Sequence, residues 1–196
     1  MSSVRIKNMA VIAMFSAIAL VIYYFDFSLP MLPEFIKLDF SNVISLIAGF
    51  SINPIAGVIV SLIKNIIHLF IKGFGSTMGI GDVFDFVTGA AFAYTAGIVY
   101  KRKRTFNGAL LGCVLGTLVF SLISLPLNYF VTYPIYAKAF GGMEAIIGAY
   151  QTFMPSIDNL FFALCVFNLP FTFFKGIVCT AITILIYKPM SPVLRC

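Results

Sequence analysis

Apolar residues run almost unbroken through six stretches of the chain, and polar residues gather in the short gaps between them. The stretches cover residues 9–27, 40–52, 54–71, 83–100, 106–133 and 160–187. Runs of this kind predict α-helices that cross a bilayer, because about 20 apolar residues rising 1.5 Å each span a hydrocarbon core of about 30 Å. The second and third stretches are parted only by Asn53-Pro54. Proline suits the first turn of a helix, so a tight turn is predicted there. The second stretch is short for the core and is expected to begin below the surface or dip. The first follows Arg5 and Lys7 as a signal peptide would, but it is too long for one and no small-residue cleavage site follows. It reads as the first helix. The predicted fold is an all-α integral membrane protein, one domain over residues 1–196 built as a six-helix transmembrane bundle.

Composition agrees. The chain is 61% hydrophobic and 10% charged, with a mean hydropathy of +1.04. A soluble domain cannot bury that much apolar surface, so lipid is the solvent for most of it. The net charge of +6 reflects topology and gives no reason to expect nucleic acid. Arg5 and Lys7, Lys101 to Arg104, and Lys188 and Arg195 all fall on one side of a six-helix bundle. All seven acidic residues, Asp26, Glu34, Asp39, Asp82, Asp85, Glu144 and Asp158, fall on the other. The positive-inside rule then puts both termini in the cytoplasm.

Lys175, in the middle of the last stretch, carries the most information about function. A lysine inside a span costs about 2.5–3.5 kcal/mol on insertion scales and is expected to face a partner or a polar cavity. It lies roughly 18 Å from Tyr187 along the helix, hence in the outer half. Asn168, Thr172 and Lys175 follow at spacings of four and three and share one helix face. Asn128, just after Pro126, reaches the same level from the fifth helix. Aromatic residues, Tyr129 among them, crowd that level. Aromatic walls with a few fixed polar groups suit a flat small molecule of little charge, and a carboxamide can match an imide-like edge. The alternative for either asparagine is a bridge between helices, worth about 0.6 kcal/mol. The outer loop 28–39 is unusually apolar for a solvated connection and is expected to act as a lid or as a re-entrant segment. Met31 and Glu34 are its candidate ligand contacts.

Other features point away from catalysis and metal. No nucleophile and base, and no carboxylate dyad, stand at a spacing that argues for an enzyme. His68 is the only histidine, so a metal site is not expected. Lys64 and His68 are expected to contact loops or the lipid interface. The glycine-rich segment 73–81 lacks the Gly-Lys-Ser/Thr ending of a phosphate loop and reads as an outer connection. Cys113, Cys165, Cys179 and Cys196 show no ligand spacing. Helix one carries small residues at Ala10, Ala13, Ser16 and Ala17, and the Ala13/Ala17 pair would let another helix approach closely.

These features together resemble the substrate-binding S components of energy-coupling factor transporters, and three segments resemble the riboflavin-specific ones. The segments are Phe35-Ile36-Lys37-Leu38-Asp39-Phe40-Ser41, Leu127-Asn128-Tyr129-Phe130 and Leu169-Pro170-Phe171-Thr172-Phe173-Phe174-Lys175-Gly176. The resemblance implies capture of riboflavin from outside a bacterial plasma membrane, with the first outer loop closing over it. A flavin phosphate, FMN, is the alternative ligand. It also implies a transmembrane T component, contacted through Ala13 and Ala17, and two cytoplasmic ATPases. By position, Asn128 and Lys175 would be ligand contacts. Where the family commonly has asparagine, this chain has Thr172, so either Asn168 supplies the amide or that contact is lost. An S component for another vitamin, and an assembly subunit whose lysine pairs with a partner chain, are the competing readings.

Overall fold

The computed structural model describes residues 3–30, 32–74 and 79–194. Its frame is a bundle of long helices: α1 (Ser3–Tyr24), α2 (Asn42–Ser51), α3 (Pro54–Lys72), α4 (Ile80–Arg102) and α5 (Phe106–Leu127). Beyond these come α6 (Tyr133–Ala139), α7 (Met143–Gln151), α8 (Leu160–Ala163) and α9 (Leu169–Leu194). Five helical runs are long and apolar enough to cross a membrane: Val4–Tyr24, Pro54–Lys72, Ile80–Arg102, Phe106–Ala139 and Leu160–Tyr187. The sixth expected span is α2, with only ten residues, about 15 Å of rise. Eight of those ten residues are buried, so α2 is wrapped by its neighbours and need not reach both faces of the bilayer.

Local chemistry sets the element boundaries. Asn53 caps α3, its Oδ1 accepting from the Ala56 N–H at 2.9 Å, and Pro54 occupies the first turn. Thr105 caps α5 through the Gly108 N–H at 3.2 Å. Two helical runs are widened by a single π-helical turn, at Asn128–Thr132 and at Leu164–Asn168. In both, a proline follows the turn by two residues, Pro134 and Pro170. Proline has no N–H to give and its ring crowds the carbonyl four residues back, which here lies inside the widened turn.

The segment 134–158, between the fifth and sixth apolar stretches, is mostly helical. Helix α6 continues the fifth span through Pro134, and α7 packs against it. The apolar loop 28–39 forms a small hairpin, with β1 (Phe27–Ser28) antiparallel to β2 (Lys37–Leu38).

Among the described residues, two large apolar cores form, beside a small cluster of Ala19, Ala48 and Val60. One joins α2, α4, α5 and α9 through Leu46, Phe92, Phe120 and Cys179. The other is an outer cap of Ile36, Tyr133, Tyr136, Ile146, Tyr150 and Leu164. Gly176 lets α9 close on α5, since a Cβ there would stand 2.6 Å from Thr117 Cγ2. That close approach turns the adjacent Lys175 inward. Cys113 and Cys179 are buried free thiols and Cys165 is half-buried.

Candidate functional site

A cavity of about 830 Å³ opens between the two cores. The hairpin covers one side through Leu32 to Lys37, and Phe120, Asn128, Thr172 and Lys175 line the wall formed by α5 and α9. Of the residues the sequence put forward, Asn128, Asn168, Thr172, Lys175 and Glu34 all line this cavity. Tyr129 does not. It sits one residue past Asn128 in the widened turn, points outward at 38% exposure, and packs edge-on against Phe130 and Phe161. Met31 lies outside the described residues.

Lys175 lies at the centre of a buried charge network. Its Nζ donates to Asp39 Oδ2 at 2.6 Å and to Asp85 Oδ1 at 3.4 Å. On the far side of Asp85, Lys64 Nζ pairs with Oδ2 at 2.8 Å. Lys64 also donates to Ser41 Oγ and, at 3.2 Å, to Asn42 Oδ1. Asn65 donates to Asp85 Oδ2 at 3.2 Å. Asp39 Oδ1 in turn accepts from the Ser41 N–H at 2.9 Å and from its hydroxyl at 2.5 Å. Two lysines and two aspartates thus cancel with little of any side chain exposed. Such an arrangement is tolerable only when every charge is paired and hydrogen-bonded.

The expected placement of Lys64 and His68 at loops or lipid is therefore corrected. The Lys64 side chain is fully buried, and its ammonium also lies 4.7 Å over the Tyr23 ring. The His68 Nδ1–H donates to Asp82 Oδ1 at 2.5 Å, and the imidazole packs on Tyr23 with centroids 4.1 Å apart. The insertion argument applied to Lys175 holds equally for Lys64, in the middle of the third span. Of the anions that answer both, Asp85 stands just inside the fourth apolar run and Asp39 immediately before the second.

Asn168 does something other than offer a free amide. Its Oδ1 accepts from the Tyr150 hydroxyl at 2.6 Å and its Nδ2 donates to the Tyr133 hydroxyl at 2.7 Å, while the two hydroxyls also bond each other. This closed ring ties α7 to the start of α6 and to the second widened turn. Burial, reinforced by Tyr133 alongside, holds the Tyr150 phenol well above its ordinary pKa, so it remains a donor. Thr172 Oγ1 donates to the Asn168 carbonyl at 2.8 Å, which leaves its oxygen free to accept. Asn128 differs from both. It is 4% exposed, lines the cavity, and makes no side-chain hydrogen bond among the described residues. Its carboxamide faces the cavity with a donor and an acceptor that a bound molecule can meet.

The hairpin closes the mouth from the first outer loop. Phe35 enters a box of Tyr133, Tyr136, Phe140 and Tyr150, with ring centroids 5.8, 6.0, 6.2 and 5.8 Å away. Asp26 holds the hairpin's edge by pairing with Lys37 at 3.1 Å and with Lys72 of α3 at 3.2 Å. Among the described residues no cluster of histidine, cysteine and carboxylate could hold a metal ion.

Residues 7–187 match the family model described as ECF transporter, substrate-specific component. The chain belongs to that family. Two relatives are the riboflavin transporter RibU of Staphylococcus aureus, 35% identical over 96% of this chain and 93% of that one, and the riboflavin transporter FmnP of Bacillus subtilis, 30% identical over 96% and 94%. A solved structure described as the S component of a bacterial ECF transporter superposes with a TM-score of 0.76 at 32% identity, covering 98% of this chain and 99% of that one. This S component is a membrane protein that binds and passes on a substrate, and it is not an enzyme. On its helix α1, Ala10, Ala13 and Ala17 are exposed while Ser16 is buried, its hydroxyl bonded to the Ile12 carbonyl at 2.8 Å. The small-residue face is therefore left open by the bundle, and Ser16 belongs to the other side.

Proposed function

We propose that this S component captures riboflavin from outside a bacterial plasma membrane, in the cavity roofed by the hairpin, and delivers it only with a T component and two cytoplasmic ATPases. The observation that carries the reading is the buried, unpartnered carboxamide of Asn128 beside an aromatic-rich cavity. The imide edge of an isoalloxazine presents a donor between two acceptors, and a carboxamide can meet one donor and one acceptor of that edge. Phe120, Phe171 and Tyr133 offer faces for a flat ring. Thr172 and Glu34 suit the ribityl hydroxyls. The names of the relatives support the same ligand. Both termini then face the cytoplasm, with the cavity on the acidic side of the bundle.

Lys175 has a structural part in this reading. Its ammonium is held by Asp39 and Asp85, so a ligand carbonyl would meet a proton already directed by the network. An assembly subunit needing a partner chain's carboxylate is disfavoured, because the carboxylates lie in this chain. Another vitamin would have to satisfy the same amide and ring faces. Protein purified from flavin-containing cells should be yellow, with a flavin absorption band. Colourless protein whose melting temperature does not move with riboflavin or FMN would refute the assignment.

A further inference from the structure

A second concavity lies at the opposite end of the molecule, where α1, the turn between α2 and α3, and the end of α4 meet. It is a groove of about 750 Å³. Ile12, Ile55, Ile59, Tyr94 and Ile98 make its apolar wall, and Lys101 and Arg102 stand at one end. Tyr94, Ile98 and Lys101 follow at spacings of four and three, so they descend one face of α4 over roughly 10 Å. Ile55 and Tyr94 are exposed, as are both cations. Neither Lys101 nor Arg102 has a carboxylate partner among the described residues, whereas Asp26, Asp39 and Asp85 all pair with lysines at the other end. Asn53, at the turn, adds an exposed amide.

We propose that this groove binds one anionic phospholipid, its phosphate on Lys101 and Arg102 and an acyl chain along Ile98, Tyr94 and Ile59. The charge pattern selects the occupant. Two helix-end cations with no carboxylate partner among the described residues border an apolar groove on a bundle of membrane-spanning length, and a lipid supplies both the anion and the chain. A zwitterionic lipid fits the channel but brings its own cation next to Lys101 and Arg102. The cation pair Lys103 and Arg104 lies outside the groove lining, so general attraction to an anionic membrane surface can be separated from binding in the groove.

The test uses the full-length protein reconstituted in vesicles of equal phosphatidylglycerol and phosphatidylcholine, released into the gas phase, with retained lipid read by native mass spectrometry. One phosphatidylglycerol should be retained in preference to phosphatidylcholine. Lys101→Gln with Arg102→Gln should lower that preference by about fivefold per cation removed, while Lys103→Gln with Arg104→Gln should leave it unchanged. Ile98→Trp, which fills the channel and keeps the charges, should abolish retention. Circular dichroism of each variant should match the parent. Equal retention of the two lipids, or equal losses from the two double variants, would overturn the proposal. So would a groove that carries no lipid and crosslinks through Tyr94→Cys to the T component in the assembled transporter.

Discussion

Two asparagines at one level of the bundle play opposite parts, and substitution separates them. Asn168→Ala removes both bonds of the tyrosine ring and leaves two buried hydroxyls short of partners, so it should destabilise the protein by about 2 kcal/mol or more. Asn128→Ala removes no bond within the protein. It should leave the melting temperature of the empty protein nearly unchanged and weaken flavin binding by about 1–3 kcal/mol, or roughly 5- to 150-fold. Lys175 gives a third pattern. Lys175→Met leaves Asp39 without its ammonium and should cost about 3–5 kcal/mol of stability. Neutralising Asp39 as well, with Asp39→Asn, should recover much of that loss, and thermal denaturation of the single and double variants checks it. If the single and double variants melt alike, the pair is not coupled. At this scale the sequence disclosed that Lys175 needed company but not which residues supplied it. Asp39 is 136 positions away, and no local spacing reports so long a contact.

Among the elements, the hairpin and the widened turns shape the cavity, Leu32 to Lys37 lining one side and Asn128, Thr132 and Asn168 another. Phe35 holds the hairpin down through four rings, so Phe35→Ala should speed flavin release while changing the association rate little. Stopped-flow chase with unlabelled riboflavin measures it, and unaltered release would mean the hairpin is not a lid. The ion pairs of Asp26 with Lys37 and Lys72 involve lysines more than 40% exposed, so Asp26→Asn should have a much smaller effect. Long apolar runs and the Asn53-Pro54 turn were readable because they depend on neighbouring residues alone. The helical fold of 134–158 was not, since α7 is ordered by burying Ile146 and Tyr150 against distant elements. The π turns were half-visible. Their prolines stand in the sequence, but whether a proline ends, kinks or widens a helix depends on what packs beside it.

For the whole molecule, the two ends of the bundle do different work. Acidic and aromatic residues line a cavity at one end, and unpaired cations with small exposed residues mark the other end and the flank of α1. Ala13→Leu or Ala17→Leu should block riboflavin uptake by cells carrying the complete transporter while leaving binding by the purified protein intact. Normal uptake would show that this face does not dock the T component. The long apolar spans were legible from the chain alone, because insertion into a bilayer acts on each segment separately; the six-span count was not, since α2 has only ten residues and five helical runs among the described residues are long enough to cross. The enclosed volume was not, as it arises only where six segments converge. The most direct check on riboflavin capture is a titration of purified protein, parent and Asn128→Ala side by side, followed by quenching of flavin fluorescence. Saturable quenching with one site per chain, weakened in Asn128→Ala, is the predicted result; no quenching, or identical curves for the two proteins, would contradict it.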